Sequence, residues 1–176
     1  GGIRAAQFTR RLLIFSRKDI TSPEIIEIKD VVEASVKLLK TIIPENFKLE
    51  IKLEETDKVS ADFNQLQQVL INLIINARDA LLDGGTISIE SSNRHLDQTY
   101  VASHPDAMEG DYALLSVSDN GAGIDPAIRD RIFEPFFTTT GPGKGTGLGL
   151  ATVYSVVTSW QGHVSVYSEL GQGTTV

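Results

Sequence analysis

The chain has 176 residues, of which 41% are hydrophobic and 22% charged, a size and composition typical of one globular domain. It contains no cysteine, which excludes disulfide bonds, thiolate metal sites and a cysteine nucleophile, and it shows neither a signal peptide nor an apolar run of the roughly 20 residues that span a bilayer. The net charge of −7 argues against nonspecific binding to nucleic acid, because no basic stripe is available to replace counterions.

An amphipathic helix is predicted over residues 3–18, where Phe8, Leu12 and Phe15 recur at helical spacing among basic residues. The pattern breaks at residues 19–23, which indicates a linker. A helix of about four turns is marginal for pairing by itself, so the apolar stripe predicts a dimer only in a longer protein.

The next four elements alternate between strand and helix. A strand is predicted at 25–28, followed by a helix that Asp30 caps and Pro44 stops. Apolar and charged residues alternate over 47–53, which is typical of a half-buried strand, and a short partner strand is predicted at 59–61.

A long helix is predicted from Asp62, which together with Gln65 resembles a capping box, to about Leu82. On a helical wheel its polar side chains share an arc of about 80°: Gln65, Gln68, Asn72, Asn76, Asp79 and Asp83. Apolar residues flank this arc on both sides, so the stripe is predicted to line a pocket. Asn76 is the predicted Mg²⁺ ligand, because an amide oxygen suits that cation. Taken alone, the spacing of Asn72 and Asn76 would favour an exposed helix face.

The remaining elements are strands and loops around one more helix. Strands are predicted at 86–91, 112–117 and 163–168, with a last strand that opens at Thr174 and is incomplete at Val176. Residues 93–110 are predicted to be an irregular insertion, and 147–160 a helix. This order predicts a two-layer α/β sandwich, in which one mixed, mostly antiparallel sheet carries helices on one face.

Glycines concentrate in one part of the chain. Seven of the 15 lie between Asp119 and Gly149, where positive φ or close approach to a ligand would justify their entropic cost. Asp119 ends a strand, so its carboxylate can accept a hydrogen bond from the exocyclic amine of adenine. Gly121 and Gly123 would let the backbone approach the base and the ribose. By itself, this sequence would indicate only a tight turn.

Residues 133–137 (Phe-Glu-Pro-Phe-Phe) predict an aromatic base for a lid over 138–145. Residues 145–150 open a helix, whose free amides and dipole favour phosphate, and Lys144 could add a charge-assisted contact. A Walker A sequence does not occur. Combined with the Asp119 turn and the polar stripe, this order of motifs predicts ATP binding.

These motifs resemble, in order, those of the catalytic and ATP-binding domain of sensor histidine kinases, within the superfamily that also includes gyrase, Hsp90 and MutL. The N box is similar to residues 72–80, the F box to 133–137, and the three glycine boxes to 119–123, 143–149 and 171–175. Residues 7–17 resemble the end of a second dimerization helix. The implied division is a dimerization-helix end at 1–19, a linker at 20–23, and an ATP-binding domain of the Bergerat type at 24–176.

The resemblance implies ATP and Mg²⁺ as cofactors, with Asn72 and Asn76 as catalytic residues and Asn76 on the metal. The implied nucleotide-binding residues are Asn76, Arg78, Asp79, Asp119, Gly121, Gly123, Ile124, Phe136, Thr138, Lys144, Gly145, Thr146, Gly147, Leu148, Gly149, Leu150 and Thr174. The γ-phosphate would pass to a histidine on an upstream dimerization helix, and then to the receiver domain of a response regulator. A homodimeric full-length protein is implied, with a cytoplasmic location either as a free protein or as part of a membrane-bound sensor.

Three details refine this expectation. ATP-hydrolysing relatives carry a glutamate where this chain has Asn72, which cannot act as a general base, so transfer is favoured over rapid hydrolysis. Many similar kinases have a lysine at the position of Thr140, so the positive charge near the phosphates would come from Lys144 and Arg78. The chain's histidines lack the helical context of a phosphoacceptor: His95, His104 and His163.

Two other functions stay open from the sequence. The first is an ATPase of the same fold whose closing lid drives a conformational cycle, which steady ATP turnover without an acceptor protein would support. The second is a docking module without catalysis, which failure to bind any nucleotide would support. Asn72 argues against the first, and the five glycines within 141–149 argue against the second.

Overall fold

The computed structural model describes residues 22–139 and 145–176. The strands in these ranges are β1 Glu24–Ile26, β2 Phe47–Leu53, β3 Val59–Ala61, β4 Gly85–Leu96, β5 Gly110–Asp119, β6 Tyr167–Glu169 and β7 Gly173–Thr175. The helices are α1 Ile28–Ile42, α2 Phe63–Ala80, α3 Gln98–Ser103 and α4 Gly149–Ser159, with a 3₁₀ helix at Pro126–Arg131. The helix predicted at 3–18, with Phe8, Leu12 and Phe15, lies outside the described residues, as do Thr140 and Lys144.

Five strands form one mixed sheet in the order β2-β4-β5-β7-β6. β2 and β4 run parallel, and the other three pairs are antiparallel. Ile87 and Ile89 of β4 and Val117 of β5 are buried in one core with the apolar sides of α1 and α2. The predicted two-layer sandwich, with a mostly antiparallel sheet and helices packed on it, is confirmed.

The long helix α2 begins where the sequence predicts. The Asp62 carboxylate accepts a hydrogen bond from the Gln65 backbone N–H (3.0 Å), which satisfies one of the amides that a helix start leaves free. One side of the helix is fully buried: Leu66, Val69, Leu70, Leu73, Ile74 and Ala77. The helix ends at Ala80 rather than Leu82, which is 88% exposed. Asp83 therefore lies beyond the helix, and its assignment to the polar stripe was wrong.

Replacing Asp62 with alanine should lower the free energy of unfolding by about 1 kcal/mol, because the Gln65 amide loses its partner. Urea denaturation measures this change. The variant Asp57→Ala, which removes the same charge from an exposed loop position, is the control and should change stability by less than half as much.

Two predictions near the start of the domain need correction. β1 ends at Ile26 and α1 begins at Ile28, so Asp30 lies in the first helical turn and does not cap it. Glu27 holds the N-cap position, and its side chain makes no capping hydrogen bond. The short strand β3 does not pair with β2; it pairs with β1 in a separate two-stranded sheet.

The second half contains more regular structure than the sequence pattern predicts. Within the supposed insertion, β4 continues to Leu96 and pairs with β5 as far as Gly110, and α3 follows with Asp97 as its cap. The predicted strand at 163–168 is shorter and later, and the predicted helix at 147–160 starts two residues later. Among the described helices, none is long and apolar enough to cross a membrane.

Candidate functional site

Asn76 lies on α2 against the first residue of α4. A Cβ atom built on Gly149 would lie 3.6 Å from Asn76 Nδ2 and 3.7 Å from Oδ1, so no side chain separates this amide from the α4 backbone. Asn76 Nδ2 is buried and has no hydrogen-bond partner among the described residues. Buried amides in folded proteins nearly always form hydrogen bonds, so Asn76 Nδ2 is available to donate a hydrogen bond to a ligand.

The start of α4 is open to an anion. Leu148 occupies the N-cap position, and no side chain of residues 22–139 or 145–176 caps the helix. The first amides of a helix carry partial positive charge and seek an acceptor, and phosphate is a favourable one. Gly147 precedes the helix with a φ of 64°, which a residue with a Cβ atom rarely adopts.

Asp119 lies at the end of β5, half-buried. Its Oδ1 accepts a hydrogen bond from the Gly121 backbone N–H at 2.8 Å. Burial raises the pKa of the Asp119 carboxyl above its ordinary value of 3.8, and hydrogen bonds from the Gly121 and Thr174 backbones oppose that rise. The carboxylate is therefore partly shielded from solvent, and a hydrogen bond from a ligand is stronger there than in water.

The first glycine turn packs directly on the end of α2. The Ala122 N–H donates to the Ala80 carbonyl (3.1 Å), and a Cβ atom on Gly121 would collide with the same carbonyl. Ala80 is four residues after Asn76, so both lie on one side of the helix, about 6 Å apart along its axis. The helix α2 thus brings the Asp119 turn and the Asn76 amide into one site.

A second layer of contacts joins this turn to the C-terminal hairpin. The Gly171 N–H donates to the Ala122 carbonyl (2.8 Å), and Cβ atoms on Gly123 and Gly173 would collide with the carbonyls of Glu169 and Asp119. The predicted first and third glycine boxes are therefore in direct backbone contact, which explains their glycines.

The aromatic segment at residues 133–137 packs differently from the prediction. Phe136 is 55% exposed and has a φ of 67°, so its ring is not a buried anchor. The connection to the second glycine region is made by its backbone, since the Phe136 N–H donates to the Gly147 carbonyl (2.9 Å). The packed rings are those of Phe133, which contacts Tyr154, and Phe137, which lies under the Arg131 guanidinium.

Among the other predicted site residues, Asn72 and Leu150 are partly buried, whereas Arg78 and Asp79 form an ion pair with each other. Asn72 is half-buried one turn before Asn76, and Leu150, the second residue of α4, packs against the core. Arg78 is engaged by its neighbour Asp79, whose Oδ1 accepts hydrogen bonds from the Arg78 Nε (2.9 Å) and Nη2 (2.7 Å). This ion pair reduces the positive charge that Arg78 offers to phosphates.

The stretch that leads into α4 is exposed where it is described. Thr138, Gly145 and Thr146 are exposed, and the Thr146 hydroxyl accepts from the Leu148 N–H at 3.4 Å. Residues 22–139 and 145–176 contain no group of three His, Asp or Glu side chains that could hold a metal ion. A cation here would depend on Asn76 and on the ligand's own oxygens.

Sequence reasoning missed three polar residues around the site. The Asn120 side chain accepts a hydrogen bond from the Thr86 N–H (2.8 Å) and so joins the turn to the start of β4. Arg129 Nη2 donates to the Ser168 carbonyl (2.7 Å), and the Ser168 hydroxyl accepts from the Ile124 N–H (2.8 Å). Asn120 belonged to the Asp-Asn-Gly turn and could have been singled out, whereas Ser168 acts across 44 residues and leaves no local signal.

Residues 61–176 match the family described as histidine kinase-, DNA gyrase B-, and HSP90-like ATPase. The matched part contains α2, α4 and four of the five strands of the large sheet, namely β4, β5, β6 and β7. It therefore contains all the contacts described for the candidate site.

Alignments with two curated relatives cover most of this chain. Sensor kinase CckA of Brucella abortus (strain 2308) is 39% identical over 173 residues, which cover 98% of this chain and 18% of that protein. Signal transduction histidine-protein kinase AtoS of Escherichia coli (strain K12) is 34% identical over 169 residues, which cover 94% of this chain and 25% of that protein. The chain thus spans a quarter or less of the length of these two relatives.

Solved structures share the fold. Full-length ShkA in complex with AMPPNP is 28% identical with a TM-score of 0.69, over 88% of this chain and 30% of that one. The mycobacterial sensor histidine kinase MprB has a TM-score of 0.68 at 23% identity, over 88% of this chain and 93% of that one, which supports the fold alone.

Proposed function

Because this chain belongs to the histidine kinase-, DNA gyrase B- and HSP90-like ATPase family, we propose that it binds Mg²⁺-ATP and serves as the catalytic domain of a sensor histidine kinase. The observation that carries the proposal is that α2 brings together two polar groups, one on the adjoining glycine turn and one on the helix itself. The half-buried Asp119 carboxylate lies beside one end of the helix, and the orphaned Asn76 amide faces the start of α4.

Adenine would bind at Asp119. An ionised carboxylate only accepts hydrogen bonds, so it suits the exocyclic amine of adenine and not the carbonyl that guanine has in that place. Gly121 and Gly123 pack on the backbone carbonyls of Ala80 and Glu169, and this packing would hold the turn that presents the carboxylate to the base.

The phosphates would lie at the start of α4, beside Asn76. Mg²⁺ keeps several waters and shares oxygens with substrate phosphates, so a single amide ligand from the protein fits its chemistry. Bound there, the ion would neutralise phosphate charge. Asn76 Nδ2, which has no hydrogen-bond partner in the described part of the chain, would donate to the nucleotide and orient it toward the α4 amides.

The γ-phosphoryl group would pass to a histidine on a dimerization helix, with its bond to ADP breaking as a bond to an imidazole nitrogen forms. Asn72 supports transfer over hydrolysis, because an amide cannot remove a proton from water at neutral pH. The histidines of the described residues are engaged elsewhere: His95 contacts Asp111, and His104 and His163 pack around Tyr100. In the longer protein, a homodimer and the receiver domain of a response regulator would be the partners.

Calorimetric titration with a non-hydrolysable ATP analogue, with and without Mg²⁺, tests the binding step. Micromolar, magnesium-dependent affinity is expected. Labelled ATP and a helical hairpin that carries a phosphoacceptor histidine then test transfer. Steady ATP turnover without that hairpin would favour the ATPase alternative, and no binding of any nucleotide would favour a docking module.

Nucleotide affinity should fall as the pH drops through the raised pKa of Asp119, because the protonated carboxyl is no longer a pure acceptor. The loss should begin above pH 3.8, the ordinary value for this group. The sign for stability is opposite. A raised pKa favours the fold below the unfolded-state value, and this contribution disappears as the pH rises through the folded-state value.

The variant Asp119→Asn separates these two effects. At pH 7 it should weaken ATP binding about 10- to 100-fold, the size of one lost hydrogen bond to a charged group, without lowering the melting temperature. Calorimetry and thermal unfolding between pH 4 and 8 measure both. Equal binding of GTP and ATP by the unmodified chain would contradict the role of Asp119.

A further inference from the structure

The Ser168 hydroxyl on β6 lies where three segments around the candidate site meet. It accepts a hydrogen bond from the Ile124 N–H of the first glycine turn (2.8 Å) and donates one to the Gly173 carbonyl of β7 (2.9 Å). Its third neighbour is the Thr174 hydroxyl, 2.8 Å away. Neither the family match nor the glycine motifs give this serine a role.

Counting protons fixes the direction of the contact between the two hydroxyl groups. A serine hydroxyl has one proton and two acceptor lone pairs. The Gly173 carbonyl can only accept, so the three contacts are satisfied together only when the Ser168 proton goes to that carbonyl and the Thr174 hydroxyl donates to Ser168. Thr174 has then used its only side-chain proton, and its hydroxyl can only accept from any further partner.

Thr174 is the cross-strand partner of Asp119 in the pairing of β5 with β7. Directly paired residues place their side chains on the same face of the sheet. The ionised Asp119 carboxylate is also a pure acceptor. Two neighbouring acceptors suit an amine donor, as in adenine, and repel a carbonyl oxygen, as in guanine.

We propose that Ser168 is a positioning residue for nucleotide specificity, which fixes the Thr174 hydroxyl as an acceptor and so favours adenine over guanine. The inference rests on the proposed nucleotide site. Arg129 holds the same strand through the Ser168 carbonyl (2.7 Å), a contact that does not involve the hydroxyl. Removing the hydroxyl should therefore free the Thr174 proton while β6 stays in place.

The test compares affinities for ADP and GDP, measured by calorimetry, in Ser168→Ala and in Ser118→Ala. Ser118 is the matched control, because its hydroxyl contacts the Thr175 hydroxyl (2.9 Å) between the same two strands β5 and β7, one residue along and on the opposite sheet face. Ser168→Ala should lower the preference for ADP about fivefold to tenfold, as expected for one hydrogen bond. Ser118→Ala should leave the preference unchanged, and Ser168→Thr, which keeps a hydroxyl, should restore it.

A second pair of variants tests the route through Thr174. If Ser168 acts through that hydroxyl, Ser168→Ala combined with Thr174→Val should show the same ADP preference as Thr174→Val alone. Additive losses would overturn the proposal, and so would an unchanged preference in Ser168→Ala. Should Ser168→Ala not fold, Thr174→Val decides alone, since an unchanged preference there also overturns it. Failure of the unmodified chain to bind either nucleotide would instead refute the proposed function.

Discussion

Replacing Asn76 with alanine is expected to remove the magnesium-dependent part of the affinity for ATP and to leave the fold intact. The Asn76 amide faces the first residue of α4, and its Nδ2 has no partner among the described residues. An amide that serves only the ligand contributes little to folding, and alanine is the better helix former by a few tenths of a kcal/mol. We expect binding about 10- to 100-fold weaker with Mg²⁺ present, and an unchanged or slightly higher melting temperature.

Calorimetry with and without Mg²⁺ measures the effect. Asn64→Ala is a suitable control, because it removes the same side chain from an exposed position on the same helix. The magnesium assignment would be wrong if Asn76→Ala kept the full affinity for Mg²⁺-ATP. A large drop in melting temperature would instead show that the amide has a structural role.

The largest effect on stability is expected from Gly173→Ala. Gly173 has a φ of 116°, and a Cβ atom there would collide with the carbonyl of Asp119 and lie 2.8 Å from the Asn120 Cα. Both neighbours are backbone atoms, so the strain cannot be relieved by a side-chain rotation. We expect a loss of about 3 kcal/mol or more in the free energy of unfolding, with loss of nucleotide binding because Asp119 must move.

Gly171 offers a matched comparison. Its φ of 75° is also in the left-handed region, but a Cβ atom there would meet no atom of the described residues within 4 Å. Gly171→Ala should therefore cost only the conformational strain, about 1 kcal/mol. Urea denaturation of the two variants separates the collision from the strain, and equal losses would contradict the proposed cause.

Features that depend on neighbouring residues could be predicted from the sequence. The alternation over 47–53 predicted β2, and the Asp62 cap predicted the start of α2, because both patterns arise within a few positions. The Asp119 turn was recognisable for the same reason, and the polar stripe that contains Asn76 was recognisable because all but one of its residues belong to a single helix.

Features that depend on distant parts of the chain could not be predicted. Nothing around Val59 indicates that its strand pairs with β1 across more than 30 residues. The extension of β4 to Leu96 follows from its pairing with β5, since the polar residues of that stretch carry no apolar period. Neither the positive φ of Phe136 nor the exposure of its ring is revealed by the sequence of the segment.

The position of β7 has a consequence for synthesis of the protein. This strand comes near the C-terminal end of the described chain, yet it pairs with β5 beside Asp119 and separates β5 from β6. A ribosome makes Asp119 on the order of seconds before it makes Thr174. During that interval the carboxylate has no β7 backbone against it, so a nascent chain should complete the proposed adenine site only after the hairpin at residues 167–175 has left the exit tunnel.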